Sequence, residues 1–235
     1  MSLIRYKWTR KAFLPIVLTW FILTMLIIHL ITSRSEQLSA LSMFWLSFIP
    51  LHAGAFGAAL IVLANFRSAV TKQKALNLER ISGIRNIFFL ISLAFLLIPV
   101  TGILTYSTIE LVRYFGYQPA LSPVLEFLRT NQTPAIVFSI FVGAVIIAPL
   151  TEEIIFRLVV YEALSSYRIK YPAFITASLF AVLHQIPVQI PALVILGLIL
   201  QHLRARYNSL WAPIVIHSAY NGTSLVILLL TVYHA

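Results

Sequence analysis

The chain reads as all-α: a polytopic transmembrane helix bundle of about seven spans with its N-terminus inside. Three observations predict this. Of its 235 residues, 60% are hydrophobic and only 10% are charged. Several apolar runs approach or exceed the ~20 residues an α-helix needs to cross the hydrocarbon core of a bilayer. The basic residues fall in alternate short connections, the asymmetry that orients membrane proteins. One membrane domain over 1–235 accounts for the length, with the chemistry-bearing residues in 134–235. No repeat, low-complexity tract or interdomain linker interrupts it. The absence of cysteine excludes disulfides, Cys-ligated metal and thiol catalysis. A net charge of +10 would suggest nucleic acid in a soluble protein. Here topology explains it, so the expected surroundings are a lipid bilayer and no nucleic acid.

The spans are read at 12–32, 41–65, 87–110, 134–163, 172–186, 189–203 and 209–233. The first follows a basic segment, MSLIRYKWTRK, and resembles a signal peptide. Its apolar run is long and lacks a small-residue cleavage site, so it reads as a retained span. With the N-terminus inside, Arg5, Lys7, Arg10, Lys11, Arg67, Lys72, Lys74, Arg80, Arg85, Arg168, Lys170, Arg204 and Arg206 all lie inside. Outside lie Arg34, Arg113 and Arg129. That split predicts N-in, C-out. In the second span Gly54 and Ala58 read as close helix packing. The connection 66–86 reads as a solvated loop that sets topology; an amphipathic surface helix carrying Leu76, Leu78 and Ile81 is the alternative. The outer segment 117–133 holds Pro119 and Pro123, and Pro134 suits the first turn of the fourth span.

The fourth span contains Glu152, Glu153 and Arg157, in the run IIAPLTEEIIFRLVV. An ionisable group deep in a bilayer costs at least a few kcal/mol, and such groups line wet cavities or sites with partners on neighbouring helices. The chain has seven carboxylates, all Glu, so two of the seven are placed here. By the topology above, Glu152 and Glu153 lie ~15 Å from the inner face, His184 ~18 Å and His217 ~12 Å, with Asn221 one turn deeper. These groups therefore share a layer. Glu153 and Arg157 are i and i+4 and can pair on one helix face. Glu152 is about 100° away and can address a separate point. Phe180 with His184, and His217 with Asn221, repeat the i, i+4 spacing. Pro149 lacks an N–H, and should kink the helix or free a carbonyl near the glutamates.

The three motifs EEIIFR (152–157), FAVLH (180–184) and HSAYN (217–221) resemble the signatures of the CPBP intramembrane proteases, the CAAX proteases and bacteriocin-processing enzymes also called the Abi family. SLWAPIVIH, before the last motif, is similar too. The resemblance covers the C-terminal hundred or so residues. It implies a glutamate-dependent intramembrane peptidase acting on a peptide or a prenylated, membrane-tethered peptide; no cofactor is expected, because Asn and Arg are poor companions for zinc and suit an oxyanion and a carboxylate. By the same resemblance Glu152 is the general base on a water, helped by His184, while His217 and Asn221 stabilise the oxyanion. Glu153, Arg157 and Phe180 support them. Burial raises a glutamate's affinity for its proton toward the range useful for a base, and two donors on one helix face suit a tetrahedral oxyanion.

Plainer readings stand beside these. Glu153–Arg157 alone is an ion pair, His184 alone is a helix–helix hydrogen bond, and Asn221 alone is packing glue. His29, His52, His202 and His234 have no acidic neighbour expected at their depth and are left out. Without Asp an aspartyl dyad is impossible, and no H-E-x-x-H occurs. Zinc held by two Glu and two His is the competing chemistry. A non-hydrolytic bacteriocin-immunity protein of the same fold and a proton-coupled transporter are the competing functions. The expected location is a prokaryotic plasma membrane.

Overall fold

The structure, a computed structural model, describes residues 38–64, 83–119 and 123–234, with Ile81 and isolated positions between 22 and 33. Most of the expected first span, 12–32, and most of the 66–86 connection lie outside the described residues. Within them the chain is helical, without β-strands. Helix α1 is Ala40–Ala64 and α2 is Ile84–Tyr114. A short α3, Pro123–Thr130, occupies the outer segment that the sequence reading left without a helix. Its first turn begins at a proline, and Leu128 is buried under it while Glu126 and Arg129 stay exposed.

The fourth element, α4, is one helical rod of five pieces. Pro134–Ile140 is α-helical, Phe141–Ile147 π-helical, Ala148–Glu153 α-helical, Ile154–Val160 π-helical and Tyr161–Ser166 α-helical. Its start follows the expected chemistry. Thr133 caps it by accepting the Ile136 N–H at 3.4 Å, and Pro134 opens the first turn, where no N–H is needed. Helix α5 is Pro172–Leu183, α6 is Ile190–Tyr207 and α7 is Trp211–Tyr233. Asn208, in the left-handed region at φ 47°, closes α6 after Arg204 and Arg206, whose charges suit a helix C-terminus.

Among the described residues, four helical stretches are long and apolar enough to cross a membrane: Ile84–Tyr114, Pro134–Ser165, Pro187–Tyr207 and Trp211–Tyr233. Their outward faces agree with lipid contact. On α2, Phe88, Leu96 and Ile103 are each more than 60% exposed, a surface suited to hydrocarbon rather than water. The reading of 172–186 as a span is corrected. At 12 residues α5 is ~18 Å long, short of the ~30 Å hydrocarbon core. It stops at His184, the chain turns through Gln185 at φ 57°, and α6 returns alongside it.

The core sits where α2, α4, α5, α6 and α7 meet, around Leu90, Leu97, Phe156, Phe180, Leu196, Leu200 and Ile216. A second cluster joins α3, α4 and α7 through Leu128, Ile136, Ile140 and Leu225. Partly buried hydrogen bonds pin the helices in register. The Trp45 indole N–H donates to Ser139 Oγ at 3.1 Å between α1 and α4, and Thr101 and Tyr220 share a 2.8 Å bond between α2 and α7.

Helices α5 and α6 approach closely at Gly197. A Cβ there would stand 3.0 Å from Ala177 Cβ and 3.1 Å from Ala177 Cα, so the obstacle includes backbone. Gly197→Val is expected to force α5 from α6 and lower the detergent melting temperature, with overpacking costing ~1–3 kcal/mol. Because α5 carries Phe180 and ends at His184, the placement of both should change with it. A variant that melts like wild type would show that the two helices do not pack this closely.

Candidate active site

The chemistry gathers on the short α-helical piece Ala148–Glu153 and the π turn after it. Each π turn shifts the hydrogen-bond ladder by one residue and is a frequent mark of functional sites. Across the first, the Ala148 N–H reaches the Gly143 carbonyl. The next bond of that register would run from residue 149 to the carbonyl of Ala144, but residue 149 is proline and has no N–H. Asn221 of α7 takes its place, its Nδ2 donating to the Ala144 oxygen at 2.8 Å. The expected freed carbonyl is therefore found, and it fixes the position of a motif residue on another helix.

Glu153 lies at the centre. It is completely buried, as is Arg157. The Arg157 Nε–H donates to Glu153 Oε2 at 2.8 Å, the i, i+4 pair that the spacing predicts. The second oxygen, Oε1, lies 2.9 Å from His217 Nδ1. A carboxylate only accepts, so Nδ1 carries the proton in this bond. Arg157 Nη1 and Nη2 are buried without hydrogen-bond partners, and the guanidinium instead lies 5.5 Å from the centre of the Phe180 ring.

Glu152 is placed differently. Its side chain is 21% exposed, and its Oε2 is buried without a hydrogen-bond partner, 3.8 Å from His217 Nε2. That distance is too long for a direct hydrogen bond but close enough for strong electrostatic coupling. His217 thus stands between the two glutamates, bonded to Glu153 and facing Glu152.

His184 forms the C-cap of α5. Its Nδ1 lies 2.7 Å from the Phe180 carbonyl oxygen, which can only accept. Nδ1 is therefore the donor, and the neutral ring keeps a lone pair on Nε2. Phe180 is fully buried and joins the parts. Its ring centre lies 4.5 Å from that of His184, 5.8 Å from that of His217 and 5.2 Å from that of Phe156.

The structure therefore brings Glu152, Glu153, Arg157 and His217 into one cluster. It attaches His184 through Phe180, and Asn221 through the wall of α4. One neighbour was missed from the sequence. His52 of α1, set aside for want of an acidic neighbour, has its Nδ1 2.6 Å from Thr151 Oγ1, beside Glu152. No sequence signal could have found it, because the pairing depends on how α1 packs against α4. Glu162 at the end of α4 accepts from Arg204 Nη2 of α6 at 2.8 Å. Among the described residues no three His or Glu side chains are gathered as a metal-ligand set.

Beside Asn221, Gly222 opens an apolar groove of about 490 Å³ between α4 and α7. Val137, Phe138, Phe141, Leu225 and Leu229 line it, with Gln132 and Tyr233 among the polar lining groups.

Residues 133–223 match the family model described as type II CAAX prenyl endopeptidase Rce1-like. This is the CAAX protease family that the three motifs resemble, and the match encloses all of them. No curated protein matches the chain. No solved structure matches it either.

Proposed function

We propose that this integral membrane protein is a CAAX-type intramembrane endopeptidase. In this reading it hydrolyses a peptide bond in a peptide or prenylated, membrane-tethered substrate, near the cytoplasmic face, by glutamate-activated water. The observation that carries the reading is the Glu152 carboxylate, with one buried, unpartnered oxygen facing a histidine oriented by Glu153. It lies within a segment matching a prenyl endopeptidase family.

In this reaction Glu152 takes a proton from water as the water oxygen attacks the scissile carbonyl carbon. The Nε2 lone pair of His184 helps orient that water. Charge then develops on the carbonyl oxygen. In this reading His217 offers an Nε2–H toward that oxygen, while its Nδ1–H stays on Glu153. Asn221 offers the amide hydrogen not used on Ala144. As the tetrahedral intermediate collapses, Glu152 returns its proton to the leaving amine, giving a new carboxylate and a new N-terminus. Glu153 and Arg157 hold His217 and set the local charge. The groove that starts at Gly222 has room for apolar parts of such a substrate.

We read the reaction as independent of metal. Support comes from the donor atoms: both oxygens of Glu153 and the Nδ1 of His217 are already engaged in hydrogen bonds. The charge asymmetry of the loops supports an N-in orientation, and the small size of the chain goes with our reading of a prokaryotic plasma membrane.

The test uses purified protein and a fluorogenic prenylated peptide ending in Cys-aliphatic-aliphatic-X. Cleavage releasing a new N-terminus is expected, and it should persist after treatment with a strong chelator. Loss on chelation with recovery by zinc alone would replace glutamate-activated water with metal-activated water. Failure to cleave both this probe and its unprenylated counterpart would remove the CAAX reading.

A further inference from the structure

We infer that His52 is a positioning residue for Glu152, acting through the hydroxyl of Thr151; the inference rests on the reading of Glu152 as the base. His52 lies on α1, outside the matched segment 133–223. It is buried, and its Nδ1 stands 2.6 Å from Thr151 Oγ1. The direction of that bond follows from its surroundings. The Thr151 hydroxyl has one hydrogen, and it lies 2.9 Å from the Ile147 oxygen and 3.1 Å from the Ala148 oxygen, both pure acceptors. The hydroxyl donates into its own helix, so it accepts from His52, and Nδ1 carries the proton.

This bond matters because of where it falls. The piece Ala148–Glu153 is under two turns long, sits between two π turns, and contains a proline that omits a ladder bond. Its own backbone therefore restrains its rotation weakly. The direction of Glu152 depends on contacts from outside α4. On one side, Glu153 is held by His217 of α7. On the other, Thr151 is held by His52 of α1. Glu152 lies between two neighbours, each tied to a different helix.

The imidazole is itself fixed. Its ring centre lies 3.9 Å from that of Phe48. Gly143 lets α1 come this close: a Cβ there would stand 3.0 Å from Phe44 Cζ and 3.2 Å from Phe48 Cζ. A misplacement of about 1 Å at a reacting group can cost ~10²-fold in rate.

The experiment measures kcat, KM and detergent melting temperature with the fluorogenic prenylated peptide. The proteins are wild type, Glu152→Gln, His52→Leu, His52→Asn, Thr151→Val and the double variant His52→Leu with Thr151→Val. His52→Leu should lower kcat about 10–100-fold with KM changed by less than about threefold. His52→Asn keeps an N–H donor near the position of Nδ1 and should recover most of the loss. Thr151→Val should match His52→Leu, and the double variant should be no worse than either, since both remove one interaction. The inference is overturned by wild-type kcat in His52→Leu, by His52→Asn being as poor as His52→Leu, or by losses that multiply in the double variant. If His52→Leu does not fold, His52→Asn and Thr151→Val decide the matter by the same split: a fall in kcat for Thr151→Val with His52→Asn near wild type supports it, and any other pattern overturns it. An inactive Glu152→Gln beside a normal His52→Leu sinks only the role of His52. An active Glu152→Gln sinks the base assignment, and this inference with it.

Discussion

Glu152→Gln is expected to abolish hydrolysis while leaving the protein folded. The change preserves volume and removes only the ability to accept a proton from water. Loss of a general base costs roughly 10²–10⁴-fold in turnover. The stability side of the expectation comes from the position of Glu152. Its Oε2 has no hydrogen-bond partner to lose, its side chain is partly exposed, and Glu153 keeps its bonds to Arg157 and His217. Turnover and melting temperature in one detergent check both halves. Turnover within tenfold of wild type, by that same scale, would show that another group activates the water.

Arg157→Ala should fail in the opposite way, by losing the fold first. Arg157 and Glu153 are both 0% exposed, and Arg157 supplies the bond to Glu153 Oε2. Without it, a fully buried carboxylate retains only His217, and breaking a buried pair costs ~3–5 kcal/mol. For a chain of this size that is a fall of roughly 6–20 °C in melting temperature. The truncation also removes the cation that rests on Phe180, the ring joining His184 to His217. Replacing both partners, as Glu153→Gln with Arg157→Met, should restore part of the melting temperature but no activity, because an isolated charge is costlier to bury than a neutral pair. Wild-type melting in Arg157→Ala together with an unstable Glu152→Gln would mean that the supporting and reacting roles of the two glutamates are exchanged.

Much of this protein follows from one-dimensional information. Helix positions come from apolar run length and punctuation, which are local. Pro134 and Pro172 mark helix starts, and Asn208 marks an end, because they act on their own backbone. The Glu153–Arg157 pair is likewise set by a helical spacing within one rod. The family likeness was legible because its three motifs carry unusual polar residues at regular spacing inside apolar sequence. By contrast, the sequence misjudged 172–186, since apolar composition does not reveal where a helix stops short of crossing. It also left α3 unassigned, since eight residues give too little periodicity to set against flanking prolines.

What only the tertiary structure decided is how helices far apart in the chain share single atoms. Spacing alone could not say that Glu153 divides its two oxygens between Arg157 and His217. Nor could it say that Asn221 occupies the carbonyl made available by Pro149, or that His52 reaches Thr151 across 99 positions of sequence. The physical reason is the same in each case. Helical periodicity gives the face on which a side chain stands, but a buried hydrogen bond needs the rotation, crossing and closeness of two helices to within a few tenths of an ångström. Those are set by packing contacts such as Gly143 against Phe48 and Gly197 against Ala177, to which the residues of one helix contribute only half.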